Sequence, residues 1–249
     1  MYLTHPKLTL PSNPNEKIWR YMDFTKYVSL LSKQSLFFCR VDKLGDKHEM
    51  SLPLINKKKE IEYYKNVEHI LKKTINEKIS LENWPSIWEN TKPSIIINSW
   101  HRNEFESAAM WSTYLKTNEG VAIQSDVNRL CESFKNTSDE INIGIVNYKD
   151  YRTEKIEDET IFGWVSHKLK SYEHEKELRA IIIKQSDINQ KPLHEIGKYV
   201  PVDLNTLVES VYVAPNAEKW YNDLVIEVTR KFGYNFEIKT SELNDRSLH

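Results

Sequence analysis

The feature that most constrains the fold is the distribution of strand-like runs along the chain. Short runs rich in β-branched and aromatic residues, which are typical of strands, are concentrated in the second half. Two clear examples are SIIINSW at Ser94–Trp100 and ELRAIIIK at Glu177–Lys184. Segments with helical spacing do not alternate regularly with these runs, as they would around a parallel sheet. The sequence therefore predicts an α+β fold, in which helices flank a central mixed or antiparallel sheet.

The length of the chain predicts a single domain. Its 249 residues fit one α+β unit over residues 1–249. Residues 1–17 contain three prolines, and we expect them to form an extended arm. Residues 56–90 include the run Lys57–Lys59 and apolar residues at helical spacing on a charged background. They predict a helical insertion or lid, although a simple solvated helical face is the alternative.

Composition and missing motifs exclude several classes of protein. A formal net charge of −1 gives no support to a dedicated nucleic-acid-binding protein, which usually carries a basic surplus. Cys39 and Cys131 are far apart and predict neither a disulfide framework nor a zinc site. There is no P-loop, GxGxxG or Gly-x-Ser-x-Gly motif. Because the chain also shows no secretory signal and no apolar run near ~20 residues, we expect a cytoplasmic protein without a membrane partner.

A charged loop follows one of the predicted strands. We expect Thr25 to cap a helix that leads into the strand Ser35–Val41. That strand continues into the segment RVDKLGDKHE at Arg40–Glu49. Loops held by a rigid scaffold often carry binding sites, so Arg40 and Asp42 are candidate ligand-binding residues. The alternative is an ordinary solvated loop.

A second candidate segment, WHRNEFESAAMWSTY, joins a strand to a helix. We expect the strand to end at Trp100 and the helix to begin near Glu104, with Asn103 as its N-cap. Backbone N–H groups at such a helix start suit an anion or a phosphate. The alternative is that the aromatic residues here belong to the core. Candidate ligand-binding residues in this segment are Trp100, Asn103, Trp111 and Tyr114.

A third candidate segment is the charged approach to the strand ELRAIIIK. Strand alternation puts Glu177 and Arg179 on one face together with Ile181 and Ile183. If the extended conformation begins earlier, Glu175 shares that face, and one of the two close carboxyls has a raised pKa. Such a shift is a usual way to tune a catalytic acid or base, so both glutamates are candidate catalytic residues. The alternative is a structural ion pair. We predict that this segment and the strand-to-helix junction face one pocket.

Several short motifs occur in a recognisable order over roughly residues 18–232. They are Arg20-Tyr21, the loop from Asp42 to Glu49, Met110-Trp111 with Tyr114, Gly120–Ile123, and finally Lys168, Tyr172, Glu175, Glu177 and Arg179. In this order they resemble domain-of-unknown-function family 2971, a bacterial family. One departure is His48, where the family usually has phenylalanine. The resemblance adds to the candidate ligand-binding residues Arg20, Tyr21, Lys168, Tyr172 and Arg179.

A more distant resemblance is to ADP-ribosyltransferases. It is carried by Arg20-Tyr21, the helix and strand that follow, and Glu175-Lys176-Glu177. It implies an enzyme that uses NAD as cofactor, in a toxin or phage-defence setting. By that resemblance Glu177 would stabilise an oxocarbenium-like sugar, Arg20 would clamp a phosphate, and Tyr21 or Tyr114 would stack on the nicotinamide.

Two other functions stay open on the sequence alone. A non-catalytic module would bind a small-molecule or nucleotide ligand in the same cleft, or a partner through residues 56–90. A metal-dependent nuclease would need several carboxylates to converge on Mg²⁺, with Lys168 meeting phosphate. The carboxylates for that purpose are Asp42, Asp46, Glu49, Glu175 and Glu177.

Overall fold

The fold is built around a large mixed sheet, in a computed structural model that describes residues 1–74, 91–184 and 195–244. The strands in chain order are β1 (Tyr2–Leu3), β2 (Lys17–Asp23), β3 (Ser35–Arg40), β4 (Ile95–Arg102), β5 (Gly120–Asp126), β6 (Ile141–Ile145), β7 (Asn147–Lys149), β8 (His167–Leu169), β9 (Glu177–Ile183), β10 (Gly197–Pro201), β11 (Ser210–Val213) and β12 (Glu237–Thr240). The main sheet runs in the order β1-β6-β9-β4-β2-β5-β11-β12, with β3 on β4 and β10 on β3. Its neighbours are antiparallel except β1 with β6 and β11 with β12. The predicted α+β fold with a mixed sheet is confirmed.

Helices surround this sheet, and β7 and β8 form a separate parallel pair. The helices among the described residues are α1 (Phe24–Lys33), α2 (Leu54–Thr74), α3 (Ala108–Tyr114), α4 (Val127–Ser133), α5 (Ile161–Val165), α6 (Leu204–Leu207) and α7 (Lys219–Lys231). Short 3₁₀ turns occupy Val41–Lys43, Lys92–Ser94, Lys170–Glu175 and Glu242–Asn244. Among the described residues, no helix combines the length and the apolar character that crossing a membrane requires.

Strand β9 separates two layers of core. Leu178, Ala180 and Ile182 face the main core, which side chains from α1, α4 and α7 complete. Ile181 faces the opposite side, where residues 41–52 and 151–165 cover the sheet. The polar residues of β9 share that second side, so the predicted alternation along this strand is confirmed.

The sheet parts in the middle of β4. One edge of β4 pairs with β9 along its length. On the other edge, β3 pairs only with residues 96–97 and β2 only with residues 101–102. Residues 98–100 therefore face a gap between β2 and β3, the two strands that α1 connects.

Side chains replace the missing strand in this gap. Arg20 donates to the carbonyl oxygen of Ser99 at 2.6 Å. On the other side of the gap, the Asn98 amide donates to the carbonyl oxygen of Phe37 at 2.9 Å. Because buried backbone groups without partners are costly, these bonds help the sheet to tolerate an opening in its interior.

Two helices begin at other residues than the sequence predicts, α1 earlier and α3 later. Asp23, and not Thr25, caps α1: its carboxylate accepts from the backbone of the first turn at 2.8 Å and from the Thr25 hydroxyl at 2.6 Å. Ser107, and not Asn103, caps α3, so the helix does not begin near Glu104. The reason is that β4 continues two residues past Trp100, paired with β9 and β2, and a turn in which the Asn103 amide bonds a nearby carbonyl follows it.

The structure describes the predicted arm in full and the predicted helical insertion in part. The arm at residues 1–17 runs along β6, where the Thr9 carbonyl oxygen accepts from the Ile145 amide at 2.9 Å. Within the region predicted as a helical insertion, α2 is described as far as Thr74. Residues 75–90 of that prediction lie outside the described residues.

Candidate functional site

A cavity of about 660 Å³ lies in the gap of the sheet. That volume is within the range of small-molecule and cofactor sites, roughly 300–1,000 Å³. The predicted meeting of the strand-to-helix junction with the Glu175–Arg179 segment in one pocket is confirmed. Polar and aromatic lining residues include Arg20, Tyr21, Trp100, His101, Tyr114, Glu175 and Glu177.

A buried ion cluster lies against one wall of this cavity. Arg179 is 1% exposed and holds Glu49 with two hydrogen bonds of 2.6 and 2.9 Å. It also donates to Glu177 at 2.8 and 3.1 Å and to the Val165 carbonyl oxygen at 2.8 Å. The guanidinium group is thus saturated with acceptors, which fits a structural role for Arg179.

Lys168 extends the cluster towards the cavity. Its ammonium group contacts Glu175 and lies 2.9 Å from Glu177. Asp46 lies 3.9 Å away, and the ring of Tyr172 lies 4.5 Å from the same nitrogen. Lys168 and Tyr172 do not line the cavity themselves. Lys168 instead contacts Glu175 and Glu177, which do line it.

The two glutamates have opposite electrostatic environments. Burial would raise the pKa of Glu177, but Arg179 and then Lys168 outweigh it and hold that pKa well below its ordinary value. Burial, followed by the hydrogen bond to Glu177, raises the pKa of Glu175 to about 7, although Lys168 opposes the shift. The carboxyls of the cluster, including Asp46, outnumber its two cations. The buried carboxyl of Glu175 therefore keeps its proton more readily. Glu175 is the group that titrates near neutral pH.

The route by which Glu175 reaches the cluster differs from the prediction. It lies in the 3₁₀ turn before β9 and not on an extension of the strand. Lys176 then adopts a left-handed conformation, with φ of 42°, which reverses the chain. The turn brings Glu175 beside Glu177, so the two carboxyls meet, although the earlier start of the strand that was considered as their route does not occur.

Arg20 is the cation at the other side of the cavity. Its bond to the Ser99 carbonyl oxygen uses one of its five N–H groups. No carboxylate pairs with Arg20 within the ranges that the structure describes. Burial lowers the pKa of its guanidinium, yet arginine stays charged in proteins. A partly buried cation with donors to spare is suited to an anionic ligand.

Aromatic residues form the wall between these charges. The Tyr21 hydroxyl accepts from the Ser107 amide at 2.8 Å, and the Tyr21 ring meets the edge of Trp111 at 4.9 Å. Tyr114 is 48% exposed at the cavity. Burial of part of its side chain, followed by the charges of Glu177 and Glu175, raises the pKa of its phenol.

Seven of the predicted ligand-binding residues do not line the cavity: Lys168, Tyr172 and Arg179 of the ion cluster, and Arg40, Asp42, Asn103 and Trp111. Arg40 pairs with Asp42 at 2.6 Å in the loop after β3, and each neutralises the other. The Asn103 carbonyl oxygen accepts from the indole of Trp19 at 2.8 Å. Trp111 is buried behind Tyr21.

The carboxylates considered for a nuclease do not form a metal site. Glu49 and Glu177 are both bonded to Arg179, and Asp42 is held by Arg40. Over the described residues, no group of three or more His, Cys, Asp or Glu side chains is arranged to hold a metal ion.

Two residues of the site, His101 and Tyr148, were not singled out from the sequence. His101 Nδ1 lies 2.7 Å from the Glu175 carbonyl oxygen. Tyr148 accepts from the Glu177 amide at 2.8 Å. The only sequence signals were their positions, since His101 follows the strand SIIINSW and Tyr148 is the last residue of the run IGIVNY at residues 143–148. Glu49 was considered only as a metal ligand and not as the partner of Arg179.

Comparisons of the chain with protein-family models, with curated proteins and with solved structures find no match. Both family resemblances in the sequence therefore stay predictions.

Proposed function

We propose that the protein is an enzyme that binds NAD in this cavity and transfers its ADP-ribose group. The observation that carries the proposal is that two groups line the same cavity: Arg20, a cation that no carboxylate of the described residues pairs with, and Glu175, a carboxyl with a pKa of about 7. The first suits the pyrophosphate of a nucleotide. The second suits a general base at neutral pH. The choice of NAD rests on the resemblance to ADP-ribosyltransferases.

In the proposed reaction, the bond between ribose C1′ and the nicotinamide nitrogen breaks. The electron pair of that bond leaves with nicotinamide, which becomes neutral, and the sugar becomes oxocarbenium-like. A hydroxyl group of the acceptor, or water, attacks C1′ and passes its proton to the carboxylate of Glu175. The positive charge that NAD carried on its ring thus ends as a proton on the protein, and the nearby negative cluster stabilises the cationic sugar.

Glu177 has a different part in this proposal. Both of its oxygens accept hydrogen bonds from Arg179 or Lys168. It therefore holds the two cations in place and raises the pKa of Glu175, while Glu175 exchanges the proton. Tyr21 and Tyr114 offer aromatic faces and edges to the nicotinamide ring.

The proposal is tested by measuring nicotinamide release from NAD by the purified protein. Glu175→Gln should lower turnover by at least about 100-fold, whereas Glu173→Gln, on the exposed side of the same turn, should not. Arg20→Gln should weaken NAD binding about tenfold or more, since it removes charge-assisted hydrogen bonds. Arg129→Gln is the matched control, because Arg129 also donates to a backbone carbonyl oxygen, that of Thr206 at 2.9 Å, but does not line the cavity.

Two results would refute the enzyme proposal. Nicotinamide release by Glu175→Gln at the wild-type rate would show that Glu175 is not the general base. Failure of the protein to bind NAD would show that NAD is not the substrate. The predicted toxin or defence setting in the cytoplasm has its own test. Expression in bacteria should slow growth and deplete NAD, and Glu175→Gln should abolish both effects.

A non-catalytic ligand-binding module is the second candidate function. The favouring observation is that Glu177 is saturated by cations and Glu175 contacts Lys168, so the wall is stable without a substrate. Calorimetry would then show NAD or another nucleotide bound with wild-type affinity by Glu175→Gln, and no turnover by either protein.

A further inference from the structure

The two ring nitrogens of His101 are in different situations. Nδ1 lies 2.7 Å from the backbone carbonyl oxygen of Glu175. Because a carbonyl oxygen accepts but cannot donate, Nδ1 carries the proton of this contact. Nε2 is buried and has no hydrogen-bond partner in the part of the chain that the structure describes. The side chain as a whole is 4% exposed and belongs to the cavity lining.

The ring is expected to be uncharged at neutral pH. Burial lowers the pKa of His101, and Lys176 and His174 act in the same direction, while the bond to the Glu175 carbonyl oxygen opposes them. With Nδ1 protonated and the ring neutral, Nε2 carries a lone pair and can only accept a hydrogen bond.

The position of this lone pair is fixed by its surroundings. His101 lies beyond the gap, where both edges of β4 are paired. On one edge it is opposite Trp19 of β2, and on the other it is opposite Glu177 of β9. The ring of Tyr21 stands at 62° to the His101 ring, with centroids 6.3 Å apart. The bond from Nδ1 to the Glu175 carbonyl oxygen sets the remaining rotation, so the position of Nε2 in the lining of the cavity is fixed.

We infer that Nε2 of His101 accepts a hydrogen bond from an N–H or O–H group of the ligand. The inference rests on the proposed function and deepens it, because it names a hydrogen-bond donor on the ligand as a requirement for binding. NAD carries such donors in its carboxamide and its ribose hydroxyls. A ligand that supplies one satisfies a buried acceptor that the free protein leaves unpaired, and a ligand without one leaves it unpaired.

A substitution can separate the two nitrogens. In His101→Asn, the side-chain amide reaches the Nδ1 position and keeps a donor for the Glu175 carbonyl oxygen, but nothing replaces Nε2. This variant should bind NAD about two- to tenfold more weakly in calorimetry, the effect of one neutral hydrogen bond. His174→Asn, at an exposed position of the neighbouring turn, should bind NAD as the wild type does.

Nitrogen-15 spectra of the histidine-labelled protein provide a readout that needs no turnover. In the ligand-free protein, the proton of His101 should be on Nδ1 and absent from Nε2. Addition of NAD, ADP-ribose or nicotinamide should then shift the Nε2 resonance in the direction of hydrogen-bond acceptance. The resonance is assigned by its loss in His101→Asn.

The outcomes distinguish the inference from the function on which it rests. A proton on Nε2 in the free protein, or a bound probe that leaves Nε2 unchanged, would overturn the inference alone. A shift of Nε2 by NAD without nicotinamide release would support the inference and refute the proposed reaction. Failure of all three probes to bind would overturn both.

Discussion

Replacing Glu177 with glutamine removes one negative charge from the centre of the buried cluster. Glu177 accepts from Arg179 at 2.8 and 3.1 Å and from Lys168 at 2.9 Å. Glutamine keeps a single acceptor oxygen, and its NH₂ group would face cationic donors. The substitution is therefore expected to destabilise the fold, as the structural interpretation of this pair requires.

The size of the effect follows from what the cluster keeps. Breaking a buried ion pair by removing one partner costs about 3–5 kcal/mol. Arg179 keeps its two bonds to Glu49. Burial still raises the pKa of Glu175, but the hydrogen bond to Glu177 no longer does, so Glu175 ionises more readily and restores part of the lost charge. We therefore expect the lower end of that range, about 3 kcal/mol, or a fall in Tm of about 6–12 °C for a chain of this size.

Urea unfolding at pH 6, below the pKa of Glu175 in the wild type, measures this loss, provided that the denaturant slope stays constant. Glu173→Gln, at an exposed position, should change stability by less than about 0.5 kcal/mol. Carbon-13 spectra of the glutamate carboxyls should also show the pKa of Glu175 falling in Glu177→Gln. A loss below about 1 kcal/mol, or an unchanged pKa of Glu175, would refute this account of the cluster.

Three further predictions concern proton binding, capping and close packing. The pKa of Glu175 is raised to about 7 in the folded state and is about 4.3 in the unfolded state. The contribution of this group to stability is therefore present below about pH 4 and is lost as pH rises through 7. Because glutamine cannot ionise, urea unfolding should show the stability of Glu175→Gln rising relative to that of the wild type between about pH 5 and pH 8. Asp23→Ala should cost about 1 kcal/mol in thermal unfolding, because it removes the cap of α1, whereas an equal loss in Thr25→Ala would contradict that assignment. Gly163→Ala should cost about 1–3 kcal/mol by the same assay, since a Cβ there would lie 1.9 Å from a backbone carbonyl oxygen, while Gly45→Ala has open space and should be neutral.

Local periodicity was enough to predict part of the site. The period of two along a strand puts Glu177, Arg179 and Ile181 on one side of β9 whatever covers them. The same reasoning could not find the partner of Arg179, since Glu49 lies 130 residues away and meets it only when the loop after β3 folds over the sheet. Local patterns carry no information on which distant segments meet.

The boundaries of elements were predicted less well than their existence. Asp23 and Thr25 are both good capping residues, and the choice between them depends on which backbone conformation precedes the helix. Glu175 would have shared the strand only if the extended conformation had begun before Glu177. The left-handed conformation of Lys176 interrupts it, so that β9 begins at Glu177. The gap in the sheet was not predictable, because strand order is not encoded in hydrophobic spacing.

The helix that connects the two sides of this gap, α1, has a consequence for the size of ligand that proteins of this fold can bind. β2 ends and β3 begins at the two ends of α1, whose ten residues span about 15 Å. The length of α1 therefore sets the distance between the end of β2 and the start of β3, on the two sides of the cavity. Inserting or deleting one turn in it would widen or narrow the opening while β4 and β9, with their charges, stay unchanged. We expect ligand size to be adjustable through helix length alone, which the size selectivity of such a variant would measure.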